Sequence, residues 1–172
     1  PSNAAKGTYK VLACADRLDQ GAELDEHDNC SASSTSIDIN GPDLRISQVS
    51  VSAITTTTFN VTDKTSNPVN VGVAPASSTG FYLSTDTTKS SDDLAIHDCS
   101  VSGSRSLRAV PSLTAGQSST ATTTLPRCYS DSTGVHPLPS GTFRVLACAD
   151  APDDIGELNE NNNCLASAAA TF

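Results

Sequence analysis

The sequence predicts an all-β fold, an immunoglobulin-like antiparallel sandwich of two sheets and about seven strands. Its 172 residues include no Trp and no Met, and only 4% are aromatic. Ser and Thr supply about a quarter of the chain, a composition that suits strands and turns better than packed helices. Short alternating runs are separated by turn residues, and nothing carries the period of a long helix.

The elements follow in order. Leu44 and Ile46 alternate with polar neighbours, whereas Val49, Val51 and Ala53 alternate in the opposite phase. One face cannot hold both sets, so a bulge or a change of sheet is predicted near Ser47-Gln48. Residues 57–63 place Phe59 and Val61 on one side, and Phe81 and Leu83 mark the next strand. Further strands are expected at 93–97, 106–110, 119–125, 142–149 and 164–171, the alanines at 166–170 being too short a run for a helix. Turns are expected at Asn67-Pro68, Gly72, Thr114-Ala115-Gly116 and Pro137 to Gly141.

The chain also repeats itself. GTYKVLACADRLDQGAELDEHDNCSAS at 7–33 returns without a gap, 134 positions later, as GTFRVLACADAPDDIGELNENNNCLAS at 141–167, with sixteen of 27 positions identical. A period this long indicates tandem domains rather than a solenoid. The expected organisation is therefore the C-terminal hairpin of a preceding unit at 1–33, a Ser- and Thr-rich linker at 34–41, and a complete sandwich at 42–172. A hairpin at 7–33 without the rest of its core is expected to seek cover for Tyr9, Val11, Leu12 or Ala13, on the complete unit or by self-association with a second chain.

Six Cys without CxxC pairs are wrong for a zinc site and suit disulfides better than buried thiols. Cys14 and Cys30 are spaced like Cys148 and Cys164, which leaves Cys99 with Cys128. Closing each loop is worth about 3–4 kcal/mol on a chain-entropy account. Oxidised pairs imply an extracellular, cell-surface or periplasmic address.

Charge narrows the partners. Nineteen acidic against ten basic side chains give a net charge of −9, a field that repels nucleic acid. No apolar run reaches the roughly 18–20 residues of a membrane span, and no leader pattern opens the chain, so a soluble segment of something longer is expected.

PDLRISQVSVS (42–52), FNVTDKTSNP (59–68), STGFYLSTD (78–86), SRSLRAVPSLTAGQSSTATTTLP (104–126) and GTFRVLACAD…GELNENNNC (141–164) together resemble the successive signatures of CARDB, the cell-adhesion-related domain found in bacteria. The resemblance implies an immunoglobulin-like sandwich, tandem repetition in secreted or surface proteins, and an adhesive or spacing role without catalysis. Its expected partners are neighbouring repeats, and a surface protein or polysaccharide. Two stretches depart from the family: NPVNVG at 67–72, and an insertion at 127–140 containing Cys128, so that the 99–128 bridge reads as a local addition.

The acidic loop between Cys148 and Cys164 is the main candidate site. Asp150, Glu157, Glu160 and Asn163 offer oxygen ligands of the kind Ca²⁺ takes, though without the EF-hand spacing. The same residues suit turns in which Asx and Glu side chains cap backbone groups. The sister loop keeps Asp16, Asp19, Glu23 and Glu26 but has Asp25, His27 and Asp28 in place of Asn159, Asn161 and Asn162. No cofactor is required on either reading; calcium is the one ion expected if any binds. No Gly-x-Ser-x-Gly elbow is present, and His27, His97 and His136 read as surface or loop residues, so no catalytic residue is expected. The alternative functions are a carbohydrate-binding module, with Tyr82 and Tyr129 as the sugar-stacking candidates against the absence of Trp, or a calcium-stiffened protein-protein interaction domain.

Overall fold

A computed structural model describes residues 7–16, 18, 20, 21, 25, 27–100 and 103–172. The chain divides into two compact units, Pro1–Asn40 and Gly41–Phe172. In the first, β1 (Gly7–Tyr9) and β2 (Leu12–Cys14) run antiparallel to β4 (Ile37–Ile39) and β3 (Cys30–Ala32) respectively. Cys14 and Cys30 lie directly opposite each other, 4.1 Å apart at Cα, and form a disulfide. The stretch 34–41, read from composition as linker, thus contains a strand. Ile37 and Ile39 flank Asp38, whose carboxylate accepts the Thr8 hydroxyl at 2.6 Å, and this β-branched alternation outweighs the serine-rich flank.

The second unit contains β5 (Arg45–Ser52), β6 (Thr58–Ser66), β7 (Ser77–Ser84), β8 (Leu94–Ala95), β9 (Leu107–Val110), β10 (Ser118–Pro126), β11 (Cys128–Asp131), β12 (Gly134–Pro137), β13 (Thr142–Cys148), β14 (Cys164–Ala166) and β15 (Ala170–Thr171). One sheet has the order β10-β6-β5 and the other β14-β13-β7-β8, with β9 also on β7 and β15 also on β13; every pairing is antiparallel. Side chains of both sheets meet in one interior, as in a sandwich.

In the second unit, eleven strands among the described residues replace the seven or so expected, for two local reasons. Ser167 divides the last strand into β14 and β15: its N–H donates to the Val145 carbonyl at 2.9 Å while its hydroxyl accepts the Val145 N–H at 3.0 Å. The insertion at 127–140 forms its own hairpin, β11–β12, tied by the Cys99–Cys128 disulfide. The bulge predicted near Ser47-Gln48 is present, since the β5–β6 register shifts between Ile46 and Gln48. The bulge brings both phases to one face: Leu44 and Ile46 are buried in the interior, and Val49 and Val51, partly buried, pack against the same cluster.

The interior is aliphatic, with Phe59 and Phe81 as its largest fully buried side chains and Phe172 set edge-on to Phe59 at 5.0 Å. Burying each large apolar side chain is worth about 1.5–3 kcal/mol relative to leaving it exposed. On β6 the inward row continues from Phe59 and Val61 to Asp63 and Thr65, all fully buried. Asp63 receives a bidentate pair from Arg108 on β9, Nε to Oδ1 at 2.8 Å and Nη2 to Oδ2 at 2.5 Å. The same guanidinium donates to Thr65 at 2.7 Å and to Ser119 at 3.2 Å, so one Arg stitches β6, β9 and β10 across the interior.

Removing one member leaves the other charged and buried, which costs about 3–5 kcal/mol. Asp63→Ala is expected to lose that much in urea unfolding, whereas Asp63→Leu combined with Arg108→Met should recover most of it. Equal losses in the single and double variants would refute a paired, desolvated charge.

Candidate functional site

The acidic loop begins where β13 ends. Cys148 faces Cys164 across the β13–β14 ladder, 4.0 Å apart at Cα, and their disulfide closes the base of the loop. Asp150 then takes φ 44° and Asp153 φ 59°, left-handed conformations that Asp tolerates better than most residues. The Asp150 carboxylate accepts the Ile155 N–H at 2.8 Å and its carbonyl accepts the Asp153 N–H at 2.8 Å. Burial raises the Asp150 pKa, the amides of Ile155 and Asp154 oppose this, and the charges of Asp154 and Asp153 add to it.

Glu157 is the centre of the arrangement, with only 7% of its surface exposed. Its carboxylate accepts the N–H of Leu44, 113 residues away in sequence, at 2.5 Å, and the side-chain amide of Asn163 at 3.3 Å. Glu160 closes the turn by accepting the Glu157 N–H at 2.6 Å. Two neighbours grip the same leading segment: the Leu158 N–H donates to the Pro42 carbonyl at 2.8 Å, and the Asn162 amide to Asp43 at 2.9 Å. Glu160 and Asn163, singled out in the sequence, thus bond Glu157, which holds Leu44, while Asp150 bonds within its own turn. Burial pushes the Glu157 pKa up to about 7; the Leu44 N–H pulls it down, and the charges of Glu160, Asp150 and Asp43 push it further up.

Carboxylate oxygens of Asp150, Glu157 and Glu160 accept backbone N–H groups of the loop or of Leu44, and among the described residues no group of three or more His, Cys, Asp or Glu side chains is placed to hold a metal ion. Asp19, Glu23 and Glu26 of the sister loop lie outside the described residues.

The sugar-stacking candidates occupy different settings from those expected. Tyr82 is 8% exposed, packs on Leu146 and Cys148, lies under Lys89 Nζ at 4.3 Å and accepts from Arg105 at 3.2 Å. Its place in the centre of β7, beside β13, buries it. Tyr129 packs partly into the main core and faces the His136 ring at 5.2 Å. His97 is a correction too: it is buried rather than a surface residue, because the Cys99–Cys128 bridge brings β11 over it and its N–H donates to the Cys128 carbonyl at 2.9 Å. Burial lowers its pKa, with the Arg105 charge assisting. His27 is exposed beside Asp25, and His136 lies 3.1 Å from Asp131. Hydrogen bonds from Thr133, ahead of the smaller effect of His136, hold the Asp131 pKa down to about 2.

Leu44 and Asp43 were not legible as members of the site, since their contribution is a backbone N–H in one case and a carboxylate recruited across 119 residues in the other. The Asp63–Arg108 pair did leave a signal: an Asp on the inward phase of a strand otherwise apolar or threonine on that side.

A two-sheet antiparallel sandwich with a disulfide-based acidic loop closing on its leading segment defines an immunoglobulin-like β module. The CARDB family model matches residues 41–167, and the chain belongs to the CARDB family, a non-enzymatic, adhesion-related domain family. Among solved structures, the CARDB domain of a Pyrococcus furiosus protein in complex with di-metal ions is similar at 17% identity and TM-score 0.45, over 76% of this chain and 93% of that one. A Bifidobacterium adolescentis GH3 beta-glucosidase is similar at 19% identity and TM-score 0.46, over 79% of this chain and 18% of that one. A Thermotoga neapolitana beta-glucosidase 3B is similar at 15% identity and TM-score 0.43, over 79% of this chain and 16% of that one. The matches therefore span less than a fifth of either glucosidase. No curated protein matches the chain.

The raised Glu157 pKa sets a pH dependence. Between its unfolded value, near 4.5, and about 7, the folded state binds more protons than the unfolded state, so Glu157 makes stability fall as pH rises through that window and level off above it. Denaturant unfolding between pH 4.5 and pH 8 is expected to show this slope, and Glu157→Gln is expected to flatten it. The same slope in the variant would rule out Glu157 as its source.

Proposed function

We propose that this chain is a non-catalytic module of a larger bacterial secreted or surface protein, acting as a spacer that transmits load between neighbouring repeats and presents an adhesive surface. The observation that carries this reading is the anchoring of both ends of the second unit. At one end Glu157, Leu158 and Asn162 hold residues 42–44, and the Gly72 N–H donates to the Gly41 carbonyl at 2.8 Å. At the other, Phe172 is buried against Phe59 and exchanges two backbone hydrogen bonds with Gly141, at 2.8 and 3.1 Å. A chain pulled from its ends meets a buried latch at each.

The three disulfides agree with an oxidising, extracellular setting, and among the described residues no helix is long and apolar enough to cross a membrane. Neighbouring repeats are its first partners, and a surface protein or polysaccharide the partner of any adhesive face. Calcium is not needed on this account, because the loop carboxylates already serve the backbone.

Single-molecule pulling between residues 41 and 172 tests the role. Glu157→Ala is expected to cost about 1.5–3 kcal/mol, the worth of a hydrogen bond to a charged group, and to lower the unfolding force. Wild-type force is expected to be the same in EDTA and in calcium. An unchanged force in the variant, or a marked rise with calcium, would contradict the load-bearing latch.

A further inference from the structure

The first unit reproduces the β13–β14 hairpin of the second bond for bond. Leu12 faces Ala32 as Leu146 faces Ala166, and Cys14 faces Cys30 as Cys148 faces Cys164. The Ser33 hydroxyl and N–H bond Val11 as those of Ser167 bond Val145. Asp16, at φ 36°, accepts the Gly21 N–H at 2.7 Å as Asp150, at φ 44°, accepts that of Ile155 at 2.8 Å. The two hairpins differ in what lies along the other edge.

In the second unit that edge of β13 is paired with β7, Arg144 to Cys148 facing Ser84 to Gly80, and Val145, Leu146 and Ala147 are fully buried. In the first unit β2 belongs to a two-stranded sheet with β3, and Val11 and Leu12 are 54% and 64% exposed.

From this identity of the hairpins we infer that the Lys10–Cys14 edge is a strand-acceptor site, and that its occupant is a β7-type strand, of the Ser-Ser-Thr-Gly-Phe-Tyr-Leu-Ser kind, supplied by chain that precedes the hairpin in a longer protein. Such a strand would add antiparallel, an aromatic opposite Leu12 as Tyr82 is opposite Leu146, and a glycine opposite Cys14 as Gly80 is opposite Cys148. In the second unit a Cβ at Gly80 would come within 2.6 Å of the Ala151 Cβ, so β7 approaches β13 there only without a side chain. The inference rests on the repeat and not on load bearing, so either can fail alone.

The test extends the chain by placing a second copy of residues 41–140 ahead of residues 7–172, which restores the connection that 140 makes with 141. Amide exchange at Leu12, Ala13 and Cys14 is expected to slow by about a hundredfold relative to the present chain and to approach that of Leu146 to Cys148. Val11→Asp should abolish the slowing in the extended chain yet leave the unfolding midpoint of the present chain unchanged. Should the extended chain not fold, a labelled peptide of sequence Ser77–Ser84 is expected to bind the present chain saturably and to lose binding with Val11→Asp. Unchanged exchange in a folded extended chain would overturn the inference, as would no peptide binding where that chain does not fold. So would protection of Leu12 to Cys14 already present in a dimer of the existing chain, which would give the edge to a second copy.

Discussion

The buried carboxylate of Glu157, flanked by bonds from Leu158 and Asn162, joins the last hairpin of the domain to its first segment. The Leu44 amide it accepts opens the strand that carries the bulge between Ile46 and Gln48, and Leu44 itself is fully buried. Placing that amide fixes which face of β5 turns inward, because a one-residue slip would exchange the buried Leu44 and Ile46 for their polar neighbours. The loop that supplies the carboxylate is in turn shaped by Asp150 and Glu160 and closed at its base by Cys148–Cys164. Its acidity serves the main chain, and the cost of burying Glu157 appears in its raised pKa.

Few aromatics are available to fill the interior, and polar devices hold the sheets together where apolar bulk is scarce. Arg108 on β9 engages Asp63 and Thr65 of β6 and Ser119 of β10, so its geometry specifies how β9 meets β6 and β10. Such a pair adds little net stability over an apolar substitute, but it penalises any register in which one charge is left unpartnered. The Cys99–Cys128 bridge and the buried His97 do similar work for the inserted hairpin, which lies outside the two main sheets.

Much of this was legible in the sequence because it is periodic or local. The phase change between Ile46 and Val49 announced the bulge, and the repeat of 7–33 at 141–167 announced a hairpin built twice. Glu157, Glu160 and Asn163 stood out as shared by both loops, yet their partner was hidden: a backbone N–H at position 44 has no sequence signature. Ile37–Ile39 was masked by the serines around it, and His97 by a disulfide that draws a distant strand over it. Tyr82 looked outward by alternation with Phe81 and Leu83, but the outer face of β7 has its own small cluster with Leu146 and Cys148. Alternation assigns a face, and neighbouring strands decide whether that face is wet.

Site-resolved hydrogen exchange of the Leu44 amide in wild type and Glu157→Ala, with Val61 and Val145 as references, tests the latch most directly. Leu44 is expected among the slowly exchanging amides of the wild type, and to exchange at least about tenfold faster in the variant while both references keep their rates. A Leu44 amide that exchanges at the same rate with and without the Glu157 carboxylate would contradict the claim that this carboxylate holds the domain's leading segment.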